Sequence, residues 1–352
     1  CNNTMDKTMT LLDLFGRNRQ IVDWKRQLQK KTRQLVMGLS ASTKALAIAS
    51  SLEEQDKILV ITSSQNEAER LASDLLSLLG EEKVYTFLAD DTPLAEFVFS
   101  SQEKIFARLE AMNFLSDKEK NGILIINVAA SRLFLPQPDI FKQSELILSV
   151  TEEYNLDNLV KSLSSNGYKK VSQVLSQGEY SLRGDILDIF ERSAQYPYRI
   201  EFFGDEIDGI RIFNPENQLS LENVEQILIE PVTDLLLTEE DYTRGQKNLE
   251  ASLSTVLDPS LKSYLEEVLS SVREHFHHAD IRKFLSFFYQ KEWTILDYLP
   301  THTPIFFDDF QKIMDKHAQF ELEVANILTD DLQNSKALSN QQYFANNYQD
   351  YR

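Results

Sequence analysis

Short apolar runs alternate with stretches of helical periodicity over the first 150 residues. The runs KILVITSS, KVYTFLA, GILIINVAA and ELILSVTEEY are rich in β-branched and aromatic residues, while STKALAIASSL and NEAERLASDLLSLLG repeat apolar positions at three- and four-residue spacing. This alternation predicts a doubly wound parallel α/β sheet, with a further strand expected in RQLVM, Arg33 to Met37. The character then changes: five of the ten glycines fall between Gly167 and Gly209, where apolar runs are short and turns close together. An antiparallel, β-rich module is expected over residues 146–238, its clearest element being the hairpin YPYRIEFFGDEIDGIRIF turning at Gly204-Asp205. From Glu239 the pattern is helical, until PIFFDDF (Pro304–Phe310) reads as a buried strand ending in two carboxylates. We therefore expect a discontinuous first domain, residues 10–145 completed by 239–330, with the 146–238 module inserted into it. The polar stretch 331–352 is expected to be a linker toward further domains, which makes the chain a fragment of something longer.

Composition narrows the possibilities. At 352 residues, two or three units are expected, and 42% hydrophobic with 26% charged residues is an ordinary globular balance. Lys and Arg total 36 against 55 Asp and Glu, a net charge of -19, so most of this surface repels a phosphate backbone and direct nucleic-acid binding is disfavoured. Cys1 is the only cysteine, which leaves no internal disulfide or thiolate-rich metal site and suits a reducing, cytoplasmic setting. No apolar run approaches the ~20 residues of a membrane span, and membrane association is not expected. Residues Cys1–Thr4 match no pattern in the rest of the chain and read as a remnant ahead of Met5. His275, His277 and His278 read as a solvated helix end rather than a metal site, and Trp24 and Trp293 as packing residues.

One motif carries nucleotide chemistry in a damaged form. A phosphate-binding loop needs G-x-x-x-x-G-K-[ST], so that backbone N–H groups cradle the phosphates while Lys and a hydroxyl hold the terminal phosphates and magnesium. Gly38 and Lys44 stand at that spacing, but Thr43 replaces the second glycine and Ala45 replaces the metal-binding hydroxyl. Downstream, PIFFDDF has the form of a Walker B strand, with Asp308 at the metal position and Asp309 where a longer glutamate usually orients water. Together the departures remove transition-state stabilisation, the main source of rate in phosphoryl transfer. An inactive nucleotide site is therefore expected; the competing reading is a plain strand-to-helix turn with a surface lysine.

Alternation along the hairpin puts Tyr198, Ile200 and Phe202 on one face and Arg199, Glu201 and Phe203 on the other. The paired strand adds Arg211 to the second face and turns Ile210 and Ile212 inward. Arginine beside an exposed aromatic is a common hot-spot pairing at protein interfaces. The competing reading makes Arg199 and Arg211 surface ion pairs with Glu201 or neighbouring acids, worth about 0–1 kcal/mol. Arg183 lies upstream in YSLRGDILDIF, but a bulge at Gly184 would reset its parity, so its face stays unassigned. The Arg183-Gly184-Asp185 tripeptide is read as coincidence with an integrin motif.

The runs GEYSLRGDILDIF and YPYRIEFFGDEIDGIRIF resemble the UvrA-binding domain shared by the UvrB excision-repair proteins and the transcription-repair coupling factors (Mfd). UvrB carries a working phosphate loop and a long DNA-clamping hairpin. Here the loop is degenerate and only a short stretch separates KVYTFLADDTP from SSQEKIFARLEAM, so the chain is similar to the N-terminal, UvrB-like module of the coupling-factor family over residues 10–330. The resemblance implies a degenerate RecA-like parallel-sheet domain with an inserted α+β domain that binds UvrA. It carries the family's R-x15-R-x3-F contact onto Arg183, Arg199 and Phe203, which the strand pattern extends to Arg211. It further implies that ATP, magnesium, DNA and RNA polymerase are handled by domains outside this chain, and that a C-terminal regulatory domain masks the UvrA surface until activation. An active UvrB-like damage-binding ATPase is the runner-up, and a nucleic-acid-binding module the third reading.

Overall fold

The computed structural model describes residues 11–28, 30, 33–52, 55–98, 101–273 and 281–346. The chain divides into two compact units, the first built from residues up to Glu96, 110–133 and 298–326, the second from 97–109, 134–297 and Ile327 onward. In chain order the strands are β1 Lys57–Thr62, β2 Val84–Phe87, β3 Gly122–Asn127, β4 Leu146–Ser149, β5 Lys169–Lys170, β6 Glu179–Arg183, β7 Ile186–Phe190, β8 Tyr198–Phe203, β9 Glu206–Phe213, β10 Ser220–Val224, β11 Gln226–Ile229 and β12 Ile305–Phe307.

The first unit is a parallel sheet in the order β12-β1-β3-β2. Every residue of β1 and β3 is buried, as continuous apolar strands covered on both faces must be. Helices Ala41–Ser51 and Gln65–Leu79 supply one cover, packing Ala45, Ile48, Leu71 and Leu75 against Ile58, Val60, Ile123 and Ile125. The second of these helices starts at Ser64, whose hydroxyl accepts from the Glu67 N–H at 3.3 Å. Two sequence expectations are corrected. Arg33–Met37 forms no strand: its three-residue apolar run is not taken into the core, and Leu35 and Met37 face solvent. Leu146–Ser149, grouped by pattern with the parallel strands but also placed at the start of the 146–238 module, pairs antiparallel with β11 in the second unit. Local periodicity identifies a strand without identifying its partner, and this partner comes some 80 residues later.

The second unit carries a six-stranded sheet, β10-β9-β8-β7-β6-β5, antiparallel except for β5 with β6. One face buries Tyr180, Leu187, Ile189, Ile200, Ile207 and Ile210 against helix Leu156–Ser165 and the β4–β11 pair. Helices Glu239–Thr255, Pro259–Arg273 and Leu285–Phe288 build a separate core around Leu249, Leu265, Val268, Phe284 and Phe288.

Asp234, completely buried, sits between two arginines: Arg108 Nη1 donates to its Oδ2 at 3.2 Å and Arg282 Nη2 to its Oδ1. Burial pushes the Asp234 carboxyl up, but Arg282 and Arg108 together hold it below the usual carboxylate range. Its stabilising effect is therefore complete above the unfolded carboxylate pKa and is lost as pH falls through the depressed folded value. Asp234→Asn, which takes a buried anion away from both arginines, should cost about 3–5 kcal/mol. Urea unfolding of the variant at neutral pH checks this; a loss within error of zero would show that the arginines are satisfied without the charge of Asp234.

Candidate protein-docking surface

The degenerate loop lies at the start of helix Ala41–Ser51 in the first unit. Gly38 holds a left-handed backbone (φ 82°), and the Thr43 hydroxyl donates back to the Ser40 carbonyl at 3.0 Å, so it serves the helix start. Lys44 Nζ donates to Asp308 Oδ1, which brings the two residues of the split motif together across 264 positions. Asp308 is fixed there because its N–H donates to the Ile61 carbonyl at 2.9 Å, extending β12 beside β1. Asp309, with φ 65°, accepts the Lys312 N–H at 3.2 Å and caps helix Phe310–Gln333. Ala45 is packed in the core. The lysine that would meet a phosphate is thus held by a carboxylate, and position 45 offers a buried methyl where magnesium needs an oxygen.

The second site is the face of the six-stranded sheet turned away from its apolar core. Two tight turns define it. Arg183 pairs with Ile186 across Gly184-Asp185, and Phe203 with Glu206 across Gly204-Asp205; both glycines have left-handed φ, 61° and 65°, which a side chain would strain. Gly184 is thus a turn residue and not a bulge, which settles the face of Arg183: it shares one side of the sheet with Ile186 and Asp188. A register shift between Glu201 and Phe202 is matched by Asp208 as the extra residue of β9, so Phe202, Ile207 and Ile210 all turn inward.

Asp188 holds the face together. Arg199, directly across on β8, donates Nε to Oδ1 at 2.7 Å and Nη2 to Oδ2 at 2.8 Å, while Arg183 on β6 donates Nη2 to Oδ2 at 2.9 Å. Arg199 Nη2 also donates to Gln218 Oε1 at 3.0 Å, and its guanidinium lies 4.4 Å from the centroid of the buried Phe213 ring. The hydrogen bond to Asp188 raises the Arg199 pKa further above its already high ordinary value. Arg211 pairs with Glu201. Phe203 projects beside this cluster with 81% of its surface exposed, and Ile186 is exposed between Arg183 and Glu201. Arg199 and Arg211 are thus ion-paired, and the exposed Phe203 lies on the same face of the sheet.

Sequence reasoning missed Asp188, Ile186 and Gln218. A signal for the first was present, since DILDIF places one carboxylate inside an otherwise apolar strand. Trp24 packs against Phe306, ring centroids 5.9 Å apart, and Lys291 Nζ lies 4.1 Å from the Trp293 ring centroid. Among the described residues no His, Cys, Asp or Glu group is placed to hold a metal ion, and no helix is long and apolar enough to cross a membrane. His275, His277 and His278, like Cys1–Thr4, lie outside the described residues.

Residues 146–235, which contain this sheet and its two tight turns, match the family described as the UvrB interaction domain. The protein class is thereby that of modules carrying a UvrB interaction domain. Over 314 residues the chain is 30% identical to the transcription-repair-coupling factor of Bacillus subtilis (strain 168), covering 87% of this chain and 27% of that protein. It is 29% identical over 317 residues to the transcription-repair-coupling factor of Staphylococcus aureus (strain MRSA252) and 30% identical over 302 residues to that of Staphylococcus haemolyticus. These alignments cover 88% and 84% of this chain, and 27% and 26% of the two proteins. The chain is similar to the transcription-repair-coupling factors over most of its own length, and it spans about a quarter of the length of the relatives it matches.

The two phenylalanines of the surface should respond differently to truncation. Phe213→Ala, which empties a buried site beneath Arg199, should cost about 3–5 kcal/mol. Phe203→Ala should change stability by no more than about 0.5 kcal/mol, because its side chain has little contact to lose. Chemical denaturation of both variants checks the contrast, and equal losses would contradict the exposure of Phe203.

Proposed function

We propose that this chain is the UvrA-recruiting module of a transcription-repair coupling factor, and that it docks UvrA on the sheet face carrying Arg183, Arg199, Phe203 and Arg211. The observation that carries this reading is the exposed Phe203 ring beside anchored arginines, inside the segment matched to the UvrB interaction domain. The exposed Phe203 ring, with Ile186 exposed on the same face, offers apolar contact beside the arginines. Arginine and phenylalanine are also residue types that dominate interface energetics. In the whole protein, RNA polymerase, DNA and the ATP- and magnesium-dependent motor belong to other domains, and a C-terminal regulatory domain covers this face until activation. The setting is cytoplasmic.

This module hydrolyses no ATP. Supporting that reading, Lys44 is engaged by Asp308, Ala45 has no oxygen, and Asp309 is occupied as a helix cap.

Calorimetric titration of the chain with UvrA tests the docking. Phe203→Ala and Arg199→Ala should each weaken binding by on the order of 2 kcal/mol or more, and unchanged affinity in both would remove the site assignment. Lys44→Ala should leave UvrA affinity unchanged, and neither it nor the unsubstituted chain should turn over ATP. Turnover that disappears in Lys44→Ala would instead favour an active UvrB-like ATPase.

A further inference from the structure

The charged groups of the docking face do not have equal parts in it. Arg199 spends Nε and Nη2 on Asp188, shares Nη2 with Gln218, lies over Phe213, and keeps only 17% of its side chain exposed. Arg183 gives Asp188 a single N–H donor, from Nη2, and keeps 55% of its side chain in solvent. The other nitrogens of Arg183 have no partner among the described residues. Asp188, 2% exposed at its side chain, is beyond the reach of a partner protein. With Arg211 neutralised by Glu201, the cluster of Arg183, Arg199 and Asp188 carries one net positive charge, and its free donors belong to Arg183.

We propose that Asp188 and Arg199 are positioning residues of this surface, and that Arg183 is the cation that meets the partner. The partner presents a carboxylate opposite Arg183, beside an apolar recess that takes Phe203 and Ile186. This inference rests on the docking reading above and assigns roles within it. A carboxylate approaching Arg199 would have to displace a bidentate pair already formed with a buried anion, whereas Arg183 offers unused donors at no such cost. Holding Arg183 by one N–H fixes its direction before the partner arrives, which limits the ordering entropy of binding. Ile186 lies across from Arg183 on β7, and Phe203 follows Glu201 on the same face, so cation and apolar contacts are neighbours.

The sign of one substitution separates this arrangement from a simple basic patch. Asp188→Asn removes a negative charge, so arginines acting only through their charge would bind an acidic partner equally well or more tightly. Positioning through Asp188 predicts the reverse. In titrations of the 352-residue chain with UvrA, Asp188→Asn should weaken binding about tenfold. It should add little to the loss caused by Arg199→Ala, because both substitutions release the same arrangement; a general weakening of the fold would make the losses additive. Gln218→Ala, which removes only the second anchor of Arg199, should weaken binding about threefold with an unchanged thermal melt, and it decides the matter if Asp188→Asn fails to fold. Binding of folded Asp188→Asn as tight as that of the unsubstituted chain, or unchanged binding by Gln218→Ala, overturns the positioning roles. Absence of UvrA binding by the unsubstituted chain overturns the docking reading itself.

Discussion

A carboxylate buried to the degree of Asp188 is tolerable only if cations and hydrogen-bond donors replace its lost water, and that requirement organises the surface of the six-stranded sheet. β7 lies between β6 and β8, so the two arginines that answer Asp188 come one from each side. The arrangement also fixes register. A one-residue slip of β7 would turn Asp188 into the apolar core and Leu187 and Ile189 out to solvent, reversing both faces at once. The ion cluster and the hydrophobic layer thus select the same pairing. Two independent constraints then hold Arg183, Arg199 and the neighbouring Phe203 on one face of the sheet.

Much of this was legible in the chain because alternation is a local property. The hairpin turn at Gly204-Asp205, the inward Ile200 and Phe202 and the outward Arg199 and Phe203 follow from a period of two around a two-residue turn, whereas the inward face of Ile210 and the outward face of Arg211 depend on the extra residue Asp208. Two kinds of information were not local. The partner of Leu146–Ser149 is Gln226–Ile229, and no pattern within either segment names the other. Nor does any pattern within Arg33–Met37 reveal that its apolar run stays in solvent, outside the parallel sheet. The face of Arg183 failed for a subtler reason. A glycine with left-handed backbone serves equally as a bulge or a tight turn, and only the pairing of Arg183 with Ile186 separates the two.

The nucleotide loop shows the complementary case, in which a motif was legible residue by residue and the structure supplied what its parts do now. Lys44 and Asp308 meet as they would around a nucleotide, but they meet each other. Thr43 and Asp309 satisfy backbone groups at two helix starts, Ser40 and Lys312, so the altered side chains have structural employment. Ala45 sits in the same apolar cluster as Ile58 and Val60. A buried methyl there favours packing between helix and sheet, where a hydroxyl without magnesium would need another partner.

The balance of charge bears on the docking surface proposed for this acidic chain. A net charge of -19 repels acidic partners at long range, so attraction must be local and acts within about a Debye length, roughly 8 Å at physiological salt. An open cluster of arginines would gain reach at the expense of selectivity, attracting nucleic acid as readily as protein. Pairing Arg199 with Asp188, and Arg211 with Glu201, removes most of that general attraction while keeping the side chains in place. What remains is one directed guanidinium beside two exposed apolar side chains, Ile186 and Phe203. In the proposed docking, burial of the phenylalanine would add apolar contact and the guanidinium would add orientation.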